Sequence, residues 1–192
     1  MKNNKSDKKF LLGLYEWVET FIFALAAVVI IFTFLLKFVM VSGESMLQSF
    51  HDGDRLLITA TNYTPERGDV VVVDVSHNLE ELGYVSNAPY IKRVIATEGQ
   101  TVDIDSATWT VYVDGEPVDE PYVYHCNNLN MVTTEAVKYP YTVPEGCVFV
   151  MGDNRSDSSD SRSMRIGLVD TRRILGKVVV RVTPFSRFGK VN

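Results

Sequence analysis

Two cysteines and three histidines among 192 residues leave little material for a disulfide scaffold or a metal site. There is no Cys-x-x-Cys and no histidine pair at ligand spacing, so neither a metal nor another cofactor is expected. Basic charge is also scarce. Residues 1–40 hold five lysines against three acids, and the chain's net −5 leaves −7 for residues 41–192. An acidic body of this kind lacks the positive footprint that phosphate binding needs, which excludes nucleic acid as a partner. Repeats and low-complexity tracts are missing, the nearest being SDSSDSRS at 156–163. His51 stands in a polar turn, and His77 and His125 stand in weakly patterned stretches. Each reads as a solvated loop residue, so a Ser-His-Asp triad has no support. Cys126 and Cys147 would be free to pair in an oxidising compartment, but spacing alone does not bring their Cα atoms within bridging distance. Cys147 opens an apolar strand and is equally well read as a small packing residue.

Long apolar runs are not scarce. A mean hydropathy of +0.02 averages two unlike parts. From Thr20 to Val41 there is a single charge, Lys37. As a helix these residues would extend about 33 Å, enough to cross a bilayer core. Lys37 is near the end, where a long side chain can reach the interface. The run is too long for the core of a cleaved signal peptide, and no Ala-x-Ala-like site closes it. Lys2, Lys5, Lys8 and Lys9 precede it, whereas Arg55 is the only basic residue over 42–60. The positive-inside rule therefore places the N-terminus in the cytoplasm and the body outside. This divides the chain into a cytoplasmic tail and interfacial segment (1–19, with Tyr15 and Trp17 as anchors), a membrane span (20–41) and an extracytoplasmic domain (42–192).

Past residue 45 no long amphipathic helical pattern appears, and the apolar period becomes strand-like. RLLITA, DVVVVDV, YIKRVIAT, TVDID, WTVYV, CVFVM and KVVVRV are short runs rich in Val, Ile, Tyr and Thr, separated by Gly, Pro and Asp turn signals. Val111 to Val118 reads as a hairpin around Asp114-Gly115. Two stretches, about 76–90 and 120–142, are weakly patterned and read as loops. The fold class is mainly β: an N-terminal transmembrane helix followed by an antiparallel coiled β-barrel or sandwich.

Three segments could carry chemistry. In the first, SGESM at 42–46, a serine follows a glycine that lets backbone N–H groups approach a substrate carbonyl. It reads equally well as a linker leaving the membrane. The second is YIKRVI at 90–95. A strand lysine is commonly an edge residue, but Lys92 is flanked by Ile91, Val94 and Ile95, so both faces are apolar. If it points inward, desolvation favours the neutral amine, a base, while Arg93 takes the opposite face and stays charged. The third is GDNRSDSSDSR at 152–162, which by itself is an ordinary polar loop with Asp–Arg pairs.

In this order the segments SGESM, GDVVVV (68–73), YIKRVI and GDNRxxSxDSR resemble the bacterial type I signal peptidases. The last has eight fixed positions, and chance agreement is on the order of 10⁻⁹ per start. One span with a short tail resembles the Gram-positive branch. The resemblance implies a membrane-bound serine endopeptidase with a Ser/Lys dyad and an acyl-enzyme. Ser45 would be the nucleophile, Lys92 the general base, and Ser158 the hydroxyl that orients the lysine. Asp153, Asp160 and Arg162 would shape the site through ion pairs. Val41, Gly43, Met46, Phe50, Tyr90 and Ile91 would line the substrate surface, although each also reads as core packing. The implied partners are signal-peptide-bearing preproteins and the lipid bilayer, with a monomeric enzyme and the secretion translocon as a candidate associate.

This chain departs from the family pattern in three places. Gly43 stands where some relatives have a serine that donates to the oxyanion. Gln48 follows Leu47 where the family usually has proline, and Ala96-Thr-Glu-Gly-Gln100 replaces the usual G-x-P-G-D turn. Two other readings fit parts of the sequence. Self-cleaving repressor-type peptidases share a Ser/Lys dyad but lack the apolar span. A membrane-anchored β-domain descended from a peptidase would not need both Ser45 and Lys92.

Overall fold

The computed structural model describes residues 4–59, 63–76, 88–124, 131, 137–163 and 165–191. His77, His125 and Cys126 lie outside the described residues. The chain divides into two units, Met1–Lys37 and Phe38–Asn192.

The first unit is helical. Helix α1 runs over Asn4–Ile30 and passes into a π-helical turn at Ile31–Leu35. Phe10, Leu14, Phe21 and Phe23 are all exposed. The stretch Lys8–Thr33 is long and apolar enough to cross a membrane, and its apolar side chains are exposed. The apolar run of 20–41 is thus divided. Its helical part ends at Leu35, and Leu36–Met40 form strand β1. Hydropathy cannot place this boundary, because Phe38, Val39 and Met40 suit a strand as well as a lipid-facing helix.

The remaining strands are β2 (Arg55–Thr59), β3 (Val70–Val73), β4 (Tyr90–Thr97), β5 (Thr101–Asp105), β6 (Thr110–Val113), β7 (Glu116–Pro117), β8 (Tyr141–Thr142), β9 (Cys147–Met151), β10 (Val169–Asp170), β11 (Ile174–Thr183) and β12 (Gly189–Lys190). The main sheet has the order β1-β2-β11-β3-β4-β9-β10, with β12 also on β11, and a smaller sheet has the order β7-β6-β5-β8. The expected hairpin is present: β6 and β7 pair Val113 with Glu116 across Asp114-Gly115. Register shifts interrupt the pairings of β11 with β2 and β3, and of β4 with β9. Such bulges add local twist and curl the sheet, giving the mainly β, half-barrel architecture.

Both faces of the central strands are covered, as the unbroken apolar runs require. In β3, Val71 and Val73 pack with Val94, Val148, Val150 and Ile166, whereas Val70 and Val72 pack with Val41, Met46, Phe50, Leu56 and Ile58. β4 lies beside β3 in strict antiparallel register, Val71 opposite Lys92 and Val70 opposite Arg93. Opposed residues share a face, so Lys92 and Arg93 enter opposite sides of the sheet, each among valines. Cys147, at the head of β9, is half-buried, and burial raises its thiol pKa.

Candidate active site

The segment after β1 folds back under the sheet. Val41 N–H donates to Asp54 O, and Gly53 N–H donates to Val41 O. Between these anchors the chain turns through Ser42–Phe50, with Met46 and Phe50 buried beneath it. Gly43 has φ +89°, a left-handed conformation that strains any residue with a side chain, and its N–H is held by Asp52 Oδ1 at 2.9 Å. This glycine is therefore built into the loop's backbone.

This turn brings Ser45 to β4. Lys92 Nζ donates to Ser45 Oγ at 2.7 Å. Lys92 is 1% exposed, and its ammonium is 5.4 Å from the Tyr90 ring centroid. Burial pushes the pKa of Lys92 down to about 8, against the pull of the Asp160 carboxylate, while Arg162 helps to lower it. Of the two readings that the sequence left open for Lys92, edge residue or inward amine, the structure has the second, and the amine meets a serine hydroxyl.

The 152–162 loop, leaving β9, surrounds this pair with buried ion pairs. Arg93 Nε and Nη2 bind Asp153 at 2.9 and 2.8 Å, and Nη1 donates to Gly68 O. Burial opposes the Arg93 charge, but the Asp153 carboxylate holds its pKa above the ordinary value. Asp160 is fully buried. Burial alone would raise its pKa, yet the paired guanidinium of Arg162, at 2.8 and 2.7 Å, and the Gly152 N–H bring it below the usual carboxylate range. Arg155 forms a third pair with Glu120 at 2.9 and 2.5 Å, and Tyr122 stacks 3.8 Å from the Arg93 guanidinium. Glu120 and Tyr122 fall in a stretch that the sequence left as a loop. Their partners are distant in sequence, so no local pattern marks them.

Gly152 permits a close approach at the site. A Cβ there would stand 2.3 Å from Ser158 Oγ and 2.5 Å from Ser45 O. The Ser158 hydroxyl is buried beside the dyad but makes no hydrogen bond to Lys92. Among the described residues it has no hydrogen-bond partner, although it lies close enough to Asp160 to favour that carboxylate's charge.

A cleft of about 400 Å³ opens over Ser45 and Lys92. Of the substrate-surface residues expected from the sequence, Val41, Gly43, Met46, Tyr90 and Ile91 line it, together with Glu44 and Asp157. Phe50 does not. It is 1% exposed, in the core, with the Arg181 guanidinium 5.7 Å from its ring. His51 is exposed in its turn and contacts Arg187.

Residues 14–183 match the family described as signal peptidase, peptidase S26. Signal peptidase I of Bacillus licheniformis is 37% identical over 188 residues, covering 94% of each chain. Signal peptidase I T of Bacillus subtilis is 35% identical, covering 95% of this chain and 92% of its own. The crystal structure of a signal peptidase I from Enterococcus faecalis aligns at 28% identity and TM-score 0.46 over 61% of this chain and 98% of its own. With the family spanning most of the sequence and relatives above 30% identity along nearly all of it, this chain belongs to the signal peptidases of the peptidase S26 family, a family of serine peptidases.

Proposed function

We propose that this protein is a membrane-anchored endopeptidase that removes N-terminal signal peptides from exported preproteins by a Ser45/Lys92 mechanism. The observation that carries the proposal is a buried lysine amine, its pKa lowered to about 8, at 2.7 Å from a serine hydroxyl on the floor of a cleft. Neutral Lys92 accepts the Oγ proton as Oγ forms a bond to the scissile carbonyl carbon. The carbonyl oxygen takes the negative charge and is met by the Ser45 N–H. Collapse breaks the C–N bond, and the Lys92 ammonium gives its proton to the leaving amine. Water, deprotonated by Lys92, then hydrolyses the acyl ester and frees Ser45.

The substrate lies extended between Val41–Gly43 on one side and Tyr90–Ile91 on the other, adding as a strand. Side chains two apart then face the same wall, which suits small residues at −1 and −3. Asp153, Asp160 and Arg162 act by holding the loop, and the Ser158 hydroxyl, which in the structure lies by Asp160, orients the amine by turning towards it. The N-terminal lysines lie in the cytoplasm and the catalytic body outside. The helical anchor ends at Leu35, ten residues before Ser45 in the sequence, which suits a scissile bond on the outer side of the bilayer. The enzyme works as a monomer.

The test is cleavage of a detergent-solubilised preprotein with alanine at −1 and −3, followed by N-terminal sequencing of the product. A single cut after the −1 alanine, abolished by tryptophan at −1 or at −3, is expected. Cleavage indifferent to both positions would contradict the reading.

A further inference from the structure

The position of Asn154 is not explained by the ion pairs around it. Its neighbours are fixed: Asp153 by Arg93, and Arg155 by Glu120. Asn154 itself bridges to Tyr124, and Tyr124 N–H donates to Asp153 O. From this platform Asn154, 4% exposed, reaches the nucleophile turn twice. Its backbone N–H donates to Ser45 O at 3.0 Å, and its side-chain Nδ2 donates to Glu44 O at 3.2 Å. The bond to Glu44 is the only one its carboxamide makes among the described residues.

The two carbonyls belong to the peptide groups on either side of the Ser45 Cα. A trans peptide is planar, with its C=O and N–H antiparallel. A donor pulling on Glu44 C=O therefore turns the Ser45 N–H the opposite way. Asn154 does not line the cleft, whereas Glu44 and Ser45 do. The Ser45 N–H donates to no protein acceptor among the described residues. Gly43, two residues before Ser45, has no hydroxyl to supply a second donor, and its own N–H is taken by Asp52. One backbone N–H thus carries the task, and its direction matters more than in a two-donor site.

We infer that Asn154 is a positioning residue for catalysis: through the Glu44 carbonyl it aims the Ser45 N–H at the developing oxyanion. The inference rests on Ser45 being the nucleophile. Leu47 N–H also donates to Glu44 O, at 3.1 Å. Removing the carboxamide therefore loosens the donor without releasing it. The loss should fall below the 10²–10³ that a whole oxyanion donor is worth, at about 10- to 100-fold.

The experiment compares wild type with Asn154→Ala in the full-length, detergent-solubilised protein. Three quantities are read: the single-turnover acylation rate, KM for a preprotein, and affinity for a peptide boronate, whose tetrahedral adduct on Ser45 carries the oxyanion. The account expects acylation and boronate affinity to fall by the same factor, with KM within about twofold and the pH midpoint unmoved. Unchanged acylation would overturn it. So would slower acylation with full boronate affinity, or a loss confined to KM. Asn154→Asp keeps the shape without the amide donor; if the alanine variant melts early, the aspartate variant is judged by the same three readouts. A Ser45→Ala protein that still cleaves would refute the nucleophile assignment itself, whereas an inert Ser45→Ala beside a fully active Asn154→Ala refutes this inference alone.

Discussion

Lys92 Nζ lies 2.7 Å from Ser45 Oγ, at the end of a side chain whose surface is 1% exposed. An amine in that position accepts a proton only when neutral. Activity should therefore rise with pH through a single ionisation near 8 and level off above it, because burial has brought Lys92 down to about that value. Initial rates on a preprotein between about pH 6 and 10 measure this. A flat profile would exclude a lysine base.

The same burial has a cost in stability. The folded pKa of Lys92 is below its unfolded value of 10.5, so between about 8 and 10.5 the unfolded chain binds more protons. Lys92 therefore makes the fold more stable as pH rises through that window, and its full penalty applies below pH 8. At about 1.4 kcal/mol per pK unit, Lys92→Met should be inactive yet more stable at pH 7 by up to about 3 kcal/mol. Urea denaturation at pH 7 reads the difference. A destabilised methionine variant would mean that the amine's contacts outweigh its desolvation.

Gly152→Ala inserts a methyl group 2.3 Å from Ser158 Oγ and 2.5 Å from the Ser45 carbonyl. Overpacking of this kind costs about 1–3 kcal/mol. The displaced atoms belong to the nucleophile and to Ser158, so cleavage should fall more steeply than stability. Paired melting and single-turnover measurements separate the two effects. A variant with normal activity and melting would show that the loop yields freely.

Asp153→Ala leaves the buried Arg93 guanidinium without its carboxylate. Breaking one side of a buried pair costs about 3–5 kcal/mol, more than the pair itself contributes. A double change, Arg93→Met with Asp153→Ala, should recover part of that loss in urea denaturation. Equal stability of the single and double variants would mean that Arg93 is not desolvated as the structure places it.

These features differ in how far the sequence disclosed them. Strand alternation was enough to put Lys92 and Arg93 on opposite faces, each apolar, because that depends only on a period of two, but it left open whether Lys92 points inward or lies at an edge. The Val70–Val73 run likewise announced a strand. The end of the anchor was not legible: a hydropathy run continues through Leu36–Met40, where the chain has already become a strand pairing with β2. Phe50 was placed on the substrate surface by the resemblance, with core packing as its other reading, and the turn at 42–50 puts it in the core. Glu120, Tyr122 and Asn154 act across long sequence separations, and their partners are visible only once the sheet has brought β4, β9 and the 152–162 loop together.

The central claim is that one serine and one lysine perform the cleavage. The direct measurement is processing of a model preprotein by wild type, Ser45→Ala and Lys92→Ala in detergent, with melting temperatures recorded alongside. The account predicts that both variants fold like wild type and lose cleavage by at least about 10³-fold. Preprotein processing by purified Ser45→Ala at a rate near wild type would contradict it.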